Sequence, residues 1–313
     1  MTHVHDEMED FSTYQKAADY IKSQVPAADL PNIAIICGTG LGGLVDAIES
    51  ERLVIKYEQI PGFCSSTVEG HAGQLVFGKL SGKNVVLMQG RFHLYEGHSA
   101  KHCVFPVRVF KLLGVENLIV TNAAGGLNQN FNVGDIMIIN DHLSLPNLVG
   151  MNPLVGKNMD EFGVRFPAVN DVYNLELRKI AVRAWLNNSY LVNERKLVLR
   201  EGTYAWIIGP CFETDAECRM LSKMECDVVG MSTVPETVVA KMCGMKVLAF
   251  SLVTDTVKFG YPSRAIDLVH DEMAGKPVQE VKVAETTHEE VLAAAAKRAL
   301  DLQVLVKDII RDI

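Results

Sequence analysis

The sequence predicts an α/β fold built around a mainly parallel central sheet, and two observations carry that prediction. Short apolar runs rich in Val and Ile recur along the chain and end in Gly or a small polar residue, as buried strands do. Helical patterns lie between several of these runs. Alternation of strand and helix is typical of a parallel sheet that is covered by helices.

The predicted elements follow one another along the whole chain. The predicted strands are Ile33–Cys37, Val85–Met88, Leu118–Val120, Asp135–Ile139, Tyr204–Ile208 and Val247–Val253. The predicted helices cover residues 11–25, 104–114, 174–187, 214–225, 234–243 and 289–311. The last helix repeats apolar residues such as Leu302 and Leu305 at steps of three and four, which gives it one apolar face. Long loops are predicted at 142–172 and 256–287.

Composition narrows the class of protein. The chain has 313 residues, of which 48% are hydrophobic and 22% charged, and these are globular values. A net charge of −8 argues against nucleic acid or an anionic membrane as the partner. No apolar run approaches the roughly 18 residues that a membrane span needs. Seven cysteines without a CxxC pair indicate reduced thiols, so we predict a cytoplasmic protein.

The chain shows no repeat and no linker-like stretch. We therefore predict one domain over residues 1–313, with residues 1–10 disordered because they are acidic and lack apolar residues at a regular spacing. The apolar content is sufficient for a core of that size.

The segment Gly90–His98 (GRFHLYEGH) is the most informative part of the sequence, because it follows the second predicted strand directly. In an open α/β sheet, ligands bind outside the strand ends. Arg91 offers a planar fork of donors that suits an oxyanion, and His93 can hold or donate a proton. The pair predicts an anion such as phosphate beside a substrate that needs acid–base help; a solvated polar loop is the alternative. Glu96 either orients His93 or Tyr95 or forms a loop ion pair.

The glycine-rich segment Gly38–Gly43 follows the first predicted strand and is compatible with two kinds of site. It matches GxGxxG, and Glu58 lies roughly where the ribose-binding acid of an NAD-dependent dehydrogenase is found. The same glycines would let backbone N–H groups wrap a single phosphate, with the hydroxyl of Thr39 nearby. A tight strand-to-helix turn without a ligand is the third alternative.

Four further segments bring small, polar or aromatic residues to predicted strand ends, at residues 121–126, 209–214, 230–236 and 251–255. Phe212 beside Glu213 suits a flat heterocycle with N–H donors. Asp255 adds a second carboxylate after the last predicted strand. A dinucleotide site needs only one crevice. Several polar segments that converge on one place therefore argue against the dehydrogenase alternative.

The order of ten motifs along the chain resembles that of the trimeric purine nucleoside phosphorylases. The motifs are GTGLGG, EGHAGQLVFG, GRFHLYEGH, TNAAGGLN, VGDIM, FGVRFPA, EGTY, GPCFET, GMSTVPE and HEEVL, and they span about residues 30–310. The resemblance implies a single-domain three-layer α/β/α fold with a twisted mixed central sheet. It implies phosphorolysis of ribonucleosides to a free base and ribose 1-phosphate by a homotrimer, with inorganic phosphate as co-substrate and no metal or organic cofactor.

The resemblance also assigns residues to the parts of the site. For phosphate it implies Thr39, His71, Arg91, His93, Ala123 and Ser232. For ribose it implies Tyr95, Met231 and His288, together with Phe162 from a neighbouring subunit. For the base it implies Ala124, Gly125, Tyr204, Phe212, Glu213, Thr254 and Asp255. The residues assigned to catalysis are His93, Glu213 and Asp255. No protein nucleophile is required, because phosphate itself attacks C1′ of an oxocarbenium-like ribose.

Two acidic residues depart from the family pattern in a way that concerns base choice. Members that take 6-oxopurines usually carry Asn where this chain has Asp255. Relatives that take 6-aminopurines, including methylthioadenosine phosphorylases, carry Asp there but lack the glutamate kept here as Glu213. We therefore predict relaxed specificity, with 6-oxopurine and 6-aminopurine nucleosides accepted and cytidine as a minor ligand.

The spacing between Asp255 and His288 is about twice that of the family. Residues 256–287 are therefore predicted to form an enlarged lid-like loop. A methylthioadenosine phosphorylase remains an alternative function, although His288 argues against an apolar 5′ pocket. A non-catalytic nucleoside-binding protein is a further alternative, but sensing a nucleoside would not require the phosphate residues.

Overall fold

Two layers of helices enclose a mixed sheet in the computed structural model, which describes residues 8, 10–39, 41–65, 72–257, 263–277 and 287–313, with His288 described by its backbone alone. The strands are β1 (Ile33–Cys37), β2 (Leu53–Lys56), β3 (Gln74–Leu80), β4 (Lys83–Gln89), β5 (Asn117–Gly126), β6 (Ile136–Ser144), β7 (Leu199–Trp206), β8 (Val228–Gly230) and β9 (Lys246–Thr256). The helices are α1 (Phe11–Gln24), α2 (Ala100–Cys103), α3 (Phe105–Leu113), α4 (Leu145–Leu148), α5 (Leu175–Asn187), α6 (Asp215–Lys223), α7 (Val234–Met242), α8 (Ala265–Met273) and α9 (His288–Asp312).

The strands form one sheet in the order β2-β3-β4-β1-β5-β8-β7-β6-β9. β9 also pairs with β5, so β5, β8, β7, β6 and β9 close into a ring. Neighbours in the run β4-β1-β5-β9 are parallel, whereas β2–β3, β3–β4, β5–β8 and β6–β9 are antiparallel. The mixed sheet that the family resemblance implies is confirmed.

The core lies on both faces of the sheet, and the central strand β1 is apolar at every position. In β1, Ala34 and Ile36 face a cluster that includes residues of α1, α3 and α7. Ile33 and Ile35 face the opposite cluster, which includes residues of α5 and α9. Side chains alternate between the faces of a strand, so a continuous apolar run such as IAIIC is what a strand covered on both sides requires. The three-layer arrangement is therefore confirmed.

Short-range signals account for the helix ends. Asp10 caps α1 by accepting a hydrogen bond from the backbone N–H of Ser12 at 2.9 Å. Thr214 and Glu217 form a reciprocal capping box at the start of α6. α3 ends at Gly114, whose φ of 96° lies in the left-handed region that glycine adopts at little cost.

The structure corrects several element predictions. β2, β3 and β8 were absent from the predicted set, and Ile207 and Ile208 lie beyond the end of β7. The predicted loop 142–172 begins inside β6 and contains α4. The predicted loop 256–287 contains α8, none of whose residues is buried. The predicted disorder of residues 1–10 concerns positions that, apart from Met8 and Asp10, lie outside the described residues.

The parallel run β4-β1-β5-β9 sets the location of the site, since parallel strands end at the same edge of a sheet. The end of β1 lies so close to β5 that a Cβ atom at Gly38 would stand 2.5 Å from the backbone oxygen of Thr121. Only glycine fits this contact. The polar segments that follow β1 and β4, and those that form the carboxyl ends of β5 and β9, are therefore brought together at one edge.

Candidate active site

A cavity of about 470 Å³ opens at this edge of the sheet, a volume typical of small-molecule sites. Most of the residues that the sequence assigns to the site line this cavity: Thr39, Arg91, His93, Tyr95, Ala123, Ala124, Gly125, Phe212, Glu213, Met231, Ser232, Thr254 and Asp255. The prediction that the separate strand-end segments converge is confirmed.

Arg91 is a buried cation, 1% exposed, at the end of β4. One terminal nitrogen donates to the hydroxyl of Ser232 at 2.6 Å, and the other donates to the backbone oxygen of Thr121 at 2.9 Å. Its Nε lies 3.3 Å from a carboxylate oxygen of Glu236. These contacts fix the plane of the guanidinium, so its fork is oriented before an anion arrives.

His93 is held by Glu96, which settles the alternatives for that glutamate. A side-chain oxygen of Glu96 lies 3.0 Å from His93 Nδ1 and accepts a hydrogen bond from the His93 backbone N–H at 2.9 Å. The imidazole stacks on the ring of Tyr95 with a centroid distance of 4.5 Å. Burial lowers the pKa of His93, although the contact with Glu96 opposes this. The neutral imidazole that results at pH 7 can donate through one nitrogen and accept through the other.

Ser232 is positioned by a constrained backbone and by a tyrosine beneath it. The next residue, Thr233, has a φ of 72°, which is strained for a β-branched residue. Thr233 is fully buried, so its surroundings hold this conformation in place. The Thr233 hydroxyl accepts a hydrogen bond from Asn122 Nδ2 at 2.9 Å. The Tyr204 hydroxyl accepts from the Ser232 backbone N–H at 3.3 Å.

Tyr204 itself does not line the cavity, and its assignment to the base is wrong for direct contact. The side chain is fully buried under Gly230, where a Cβ atom would come 2.4 Å from the Tyr204 hydroxyl. Tyr204 therefore supports the segment that carries Met231 and Ser232 and is screened from a ligand by it.

Glu213 and Asp255 line the same cavity from different segments. Burial raises the pKa of Glu213, and the nearby Asp255 carboxylate raises it further. The Thr254 hydroxyl donates to Asp255 Oδ1 at 3.2 Å. Phe212 stands beside them and is 49% exposed. Two carboxylates next to an aromatic ring can bind a flat molecule that offers N–H donors.

Phe162 is buried within its own subunit, and the structure of the single chain gives no support to its predicted contact with the ribose of a neighbouring subunit. It is 3% exposed, and its ring packs against Phe11 at 5.4 Å and Tyr14 at 5.2 Å between centroids. The guanidinium of Arg108 lies 5.7 Å from its ring. The second aromatic residue of the same FGVRFPA motif, Phe166, is 87% exposed.

Two assigned residues lie beyond what the structure describes, and several lining residues were missed. His71 and the side chain of His288 fall outside the described part. The cavity is also lined by residues to which the sequence assigns no role: Asn122, Pro210, Val229, Gly230 and Val291. Asn122 and Gly230 lie within the motifs TNAAGGLN and GMSTVPE. Their position next to residues that are assigned to the site is the sequence feature that could have identified them. Val291 lies on the predicted apolar face of the last helix. The apolar pattern predicts a core position for it and does not indicate that it lines the cavity.

The glycine-rich turn does not have the geometry that a dinucleotide site requires. A short 3₁₀ helix, Gly42–Ala47, follows β1 where such a site needs an α-helix whose N-terminus faces the pyrophosphate. Gly38 serves close strand packing, and Thr39 lines the cavity. The dehydrogenase alternative is therefore not supported. Among the described residues, no group of three or more His, Cys, Asp or Glu side chains could hold a metal ion.

Comparison with known proteins agrees with this geometry. The sequence model of the phosphorylase superfamily matches residues 32–311. The chain belongs to this superfamily.

The family within it follows from closer relatives. Purine nucleoside phosphorylase of Bos taurus is 48% identical over 296 residues, covering 95% of this chain and 93% of the relative. The Schistosoma mansoni enzyme in complex with adenosine superposes with a TM-score of 0.84 at 42% identity, covering 97% of this chain and 98% of that one. Isoform 2 from the same organism, in complex with cytosine and ribose-1-phosphate, gives 0.82 at 42% identity, with the same coverage. This chain is a member of the purine nucleoside phosphorylases.

Proposed function

We propose that this protein catalyses the phosphorolysis of nucleosides in this cavity. Phosphate is bound by Arg91, His93 and Ser232. The base is bound by Phe212, Glu213 and Asp255. One observation carries this proposal: a preoriented guanidinium and a pair of carboxylates line a single cavity. Each group suits one of the two substrates, an oxyanion and a heterocycle with N–H donors.

The chemistry follows from these positions. As the bond between C1′ and the base nitrogen breaks, its electron pair moves to the base and the ribose becomes cationic. The phosphate dianion stabilises that cation and an oxygen then bonds to C1′, which gives ribose 1-phosphate. Arg91 and Ser232 hold the dianion, while Glu213 accepts an N–H of the base. A panel of nucleosides assayed for released base with and without phosphate tests this function; release that is independent of phosphate contradicts it.

Inorganic phosphate is proposed as the only co-substrate, with no metal or organic cofactor, because phosphate supplies the nucleophile. We propose a cytoplasmic location because of the state of the cysteines. All seven are free thiols, and five are buried, which suits a reducing compartment. No helix among the described residues is long and apolar enough to cross a membrane.

Base specificity is proposed to be relaxed, as the two carboxylates predict. Glu213 accepts from the N1–H of a 6-oxopurine, and Asp255 accepts from an exocyclic amino group. The solved relatives support both parts, since Schistosoma mansoni structures hold inosine and adenosine, and a further one holds cytosine with ribose-1-phosphate. A 4-aminopyrimidine nucleoside is therefore kept as a minor ligand.

The enzyme is proposed to act as a homotrimer in which Phe166 of one subunit covers the ribose of the next. Its 87% exposure leaves the ring available to another subunit, which the buried Phe162 is not. Arg165 lies over the Phe166 ring at 5.4 Å and stiffens the exposed segment.

We expect Phe166→Ala to raise the KM for inosine about three- to ten-fold, since an aromatic contact is typically worth about 0.5–1.5 kcal/mol. The phosphate KM and Tm should stay close to those of the parent, because Phe166 packs on no core. Phe162→Leu is the matched control and should lower Tm while nucleoside affinity is kept. A monomer by light scattering with full activity would contradict the assembly.

The enlarged segment 256–287 is proposed to act as a lid over the nucleoside. Its helix α8 carries Ile266, Val269 and Met273 at steps of three and four, and these side chains are 56%, 49% and 83% exposed. An apolar stripe of this kind gains stability by packing on a surface. The segment follows Asp255 directly along the chain and leads into α9, which contributes Val291 to the cavity.

We expect deletion of residues 260–282 to raise the nucleoside KM and lower kcat together, because a lid both retains substrate and excludes water. Met273→Ser should act in the same direction with a smaller effect. Glu272→Ser, on the same helix, is the control and should match the parent. Unchanged turnover and nucleoside affinity in the deletion variant would rule out a lid.

A further inference from the structure

Glu236 is a buried carboxylate next to the cation that binds phosphate. It lies in the first turn of α7 and is 4% exposed. One of its oxygens lies 3.3 Å from Arg91 Nε. It does not line the main cavity, so it contacts no substrate there and can act on one only through its charge and through Arg91.

The charge of Glu236, rather than its hydrogen bonding, distinguishes it from other groups around Arg91. The hydroxyl of Ser232 and the backbone oxygen of Thr121 already accept from the two terminal nitrogens at 2.6 and 2.9 Å. Both are neutral acceptors that fix the orientation of the guanidinium. What Glu236 adds to them is a buried carboxylate paired with the guanidinium at 3.3 Å; burial raises its pKa, and the charge of Arg91 opposes that rise.

This charge acts on the free and the bound enzyme in opposite ways. Without a ligand, the carboxylate stabilises the buried guanidinium of Arg91. When a phosphate dianion binds the same guanidinium, the carboxylate repels it across a short distance in a medium of low dielectric. Part of the attraction between Arg91 and phosphate is thereby cancelled.

We propose that Glu236 limits the affinity of the site for phosphate and ribose 1-phosphate, so that the phosphorylated product can leave. This inference rests on the proposed phosphate site. Glu236 is accordingly a positioning residue that acts through Arg91. A purely structural carboxylate would have the opposite effect on substrate affinity when removed, because Arg91 would lose order.

The decisive variant is Glu236→Gln, which keeps the size and the acceptor but removes the charge. We expect the phosphate KM and the inhibition constant of ribose 1-phosphate to fall about ten-fold, since repulsion between buried charges is lost. Tm without phosphate should fall, and the rise in Tm on adding phosphate should exceed that of the parent. Steady-state kinetics and thermal unfolding over a phosphate titration measure all three.

A matched control is Glu176→Gln, in the first turn of α5, where an exposed carboxylate pairs with Lys179 at 2.9 Å. It should leave the phosphate KM unchanged. For Glu236→Gln, an unchanged or raised phosphate KM overturns the inference, whatever happens to Tm. If that variant does not fold even when purified in phosphate, Glu236→Asp replaces it. The shorter side chain withdraws the charge, so a smaller decrease in phosphate KM is expected and an increase overturns the inference.

The Arg91→Ala variant separates failure of this inference from failure of the proposed function. If Arg91→Ala raises the phosphate KM while Glu236→Gln does not lower it, the phosphate site stands and only the role of Glu236 is lost. If Arg91→Ala leaves the phosphate KM unchanged, the phosphate site itself is wrong.

Discussion

Replacing Arg91 by Ala is expected to raise the phosphate KM about 10- to 150-fold, because a charge-assisted contact to a desolvated dianion is typically worth about 1.5–3 kcal/mol. The KM for inosine at saturating phosphate should change little, since the guanidinium is anchored to Ser232 and Thr121 and not to the base residues. Initial rates over a phosphate titration measure the effect.

The Ala variant also leaves Glu236 buried without its cation, so its Tm should fall. Arg91→Lys separates the two effects, because it keeps the charge but loses the fork and should give an intermediate phosphate KM. Arg200→Ala is the control: it removes an arginine that pairs with Asp135 at 2.9 Å away from the cavity. A phosphate dependence in Arg91→Ala equal to that of the parent would show that phosphate binds elsewhere.

The sequence predicts the site well where a polar segment follows a buried strand. Arg91 comes directly after the apolar positions of β4, and Asp255 lies near the end of β9, so local pattern and sheet geometry together bring them to one edge. Local pattern does not predict burial that depends on tertiary contacts. Phe162 and Phe166 occur in one motif, and only packing against Phe11 and Tyr14 makes the first inaccessible.

Other features needed long-range information. β8 has three residues and is a strand only because Gly125 and Gly126 of β5 pair with it on one side and β7 pairs on the other. In the sequence, Glu236 has the pattern of an acidic residue in the first turn of a helix. Its contact with Arg91 joins positions that are 145 residues apart along the chain (236 − 91). No local pattern signals such a pair.

Base choice gives the second large effect, through Asp255. Asp255→Asn is expected to shift the ratio of kcat/KM for adenosine over inosine toward inosine by about 5- to 150-fold, since one hydrogen-bonding group typically discriminates by about 1–3 kcal/mol. When it is ionised, the Asp255 carboxylate can only accept, so it repels O6 of a 6-oxopurine and favours an amino group. Asparagine can donate to O6 or N7. The contact with the Thr254 hydroxyl at 3.2 Å can be kept by the amide oxygen, so the geometry of the pocket should persist.

The control for this variant is Asp171→Asn, an exposed carboxylate that pairs with Lys241 at 2.7 Å and does not line the cavity. Its adenosine-to-inosine ratio should equal that of the parent. In Asp255→Asn, loss of the neighbouring charge also removes one cause of the raised pKa of Glu213, so Glu213 should be ionised over a wider pH range. An ionised Glu213 accepts better from the N1–H of hypoxanthine, which adds to the shift toward inosine. An adenosine-to-inosine ratio that Asp255→Asn leaves unchanged would remove Asp255 from base selection and leave Glu213 as the only carboxylate with that role.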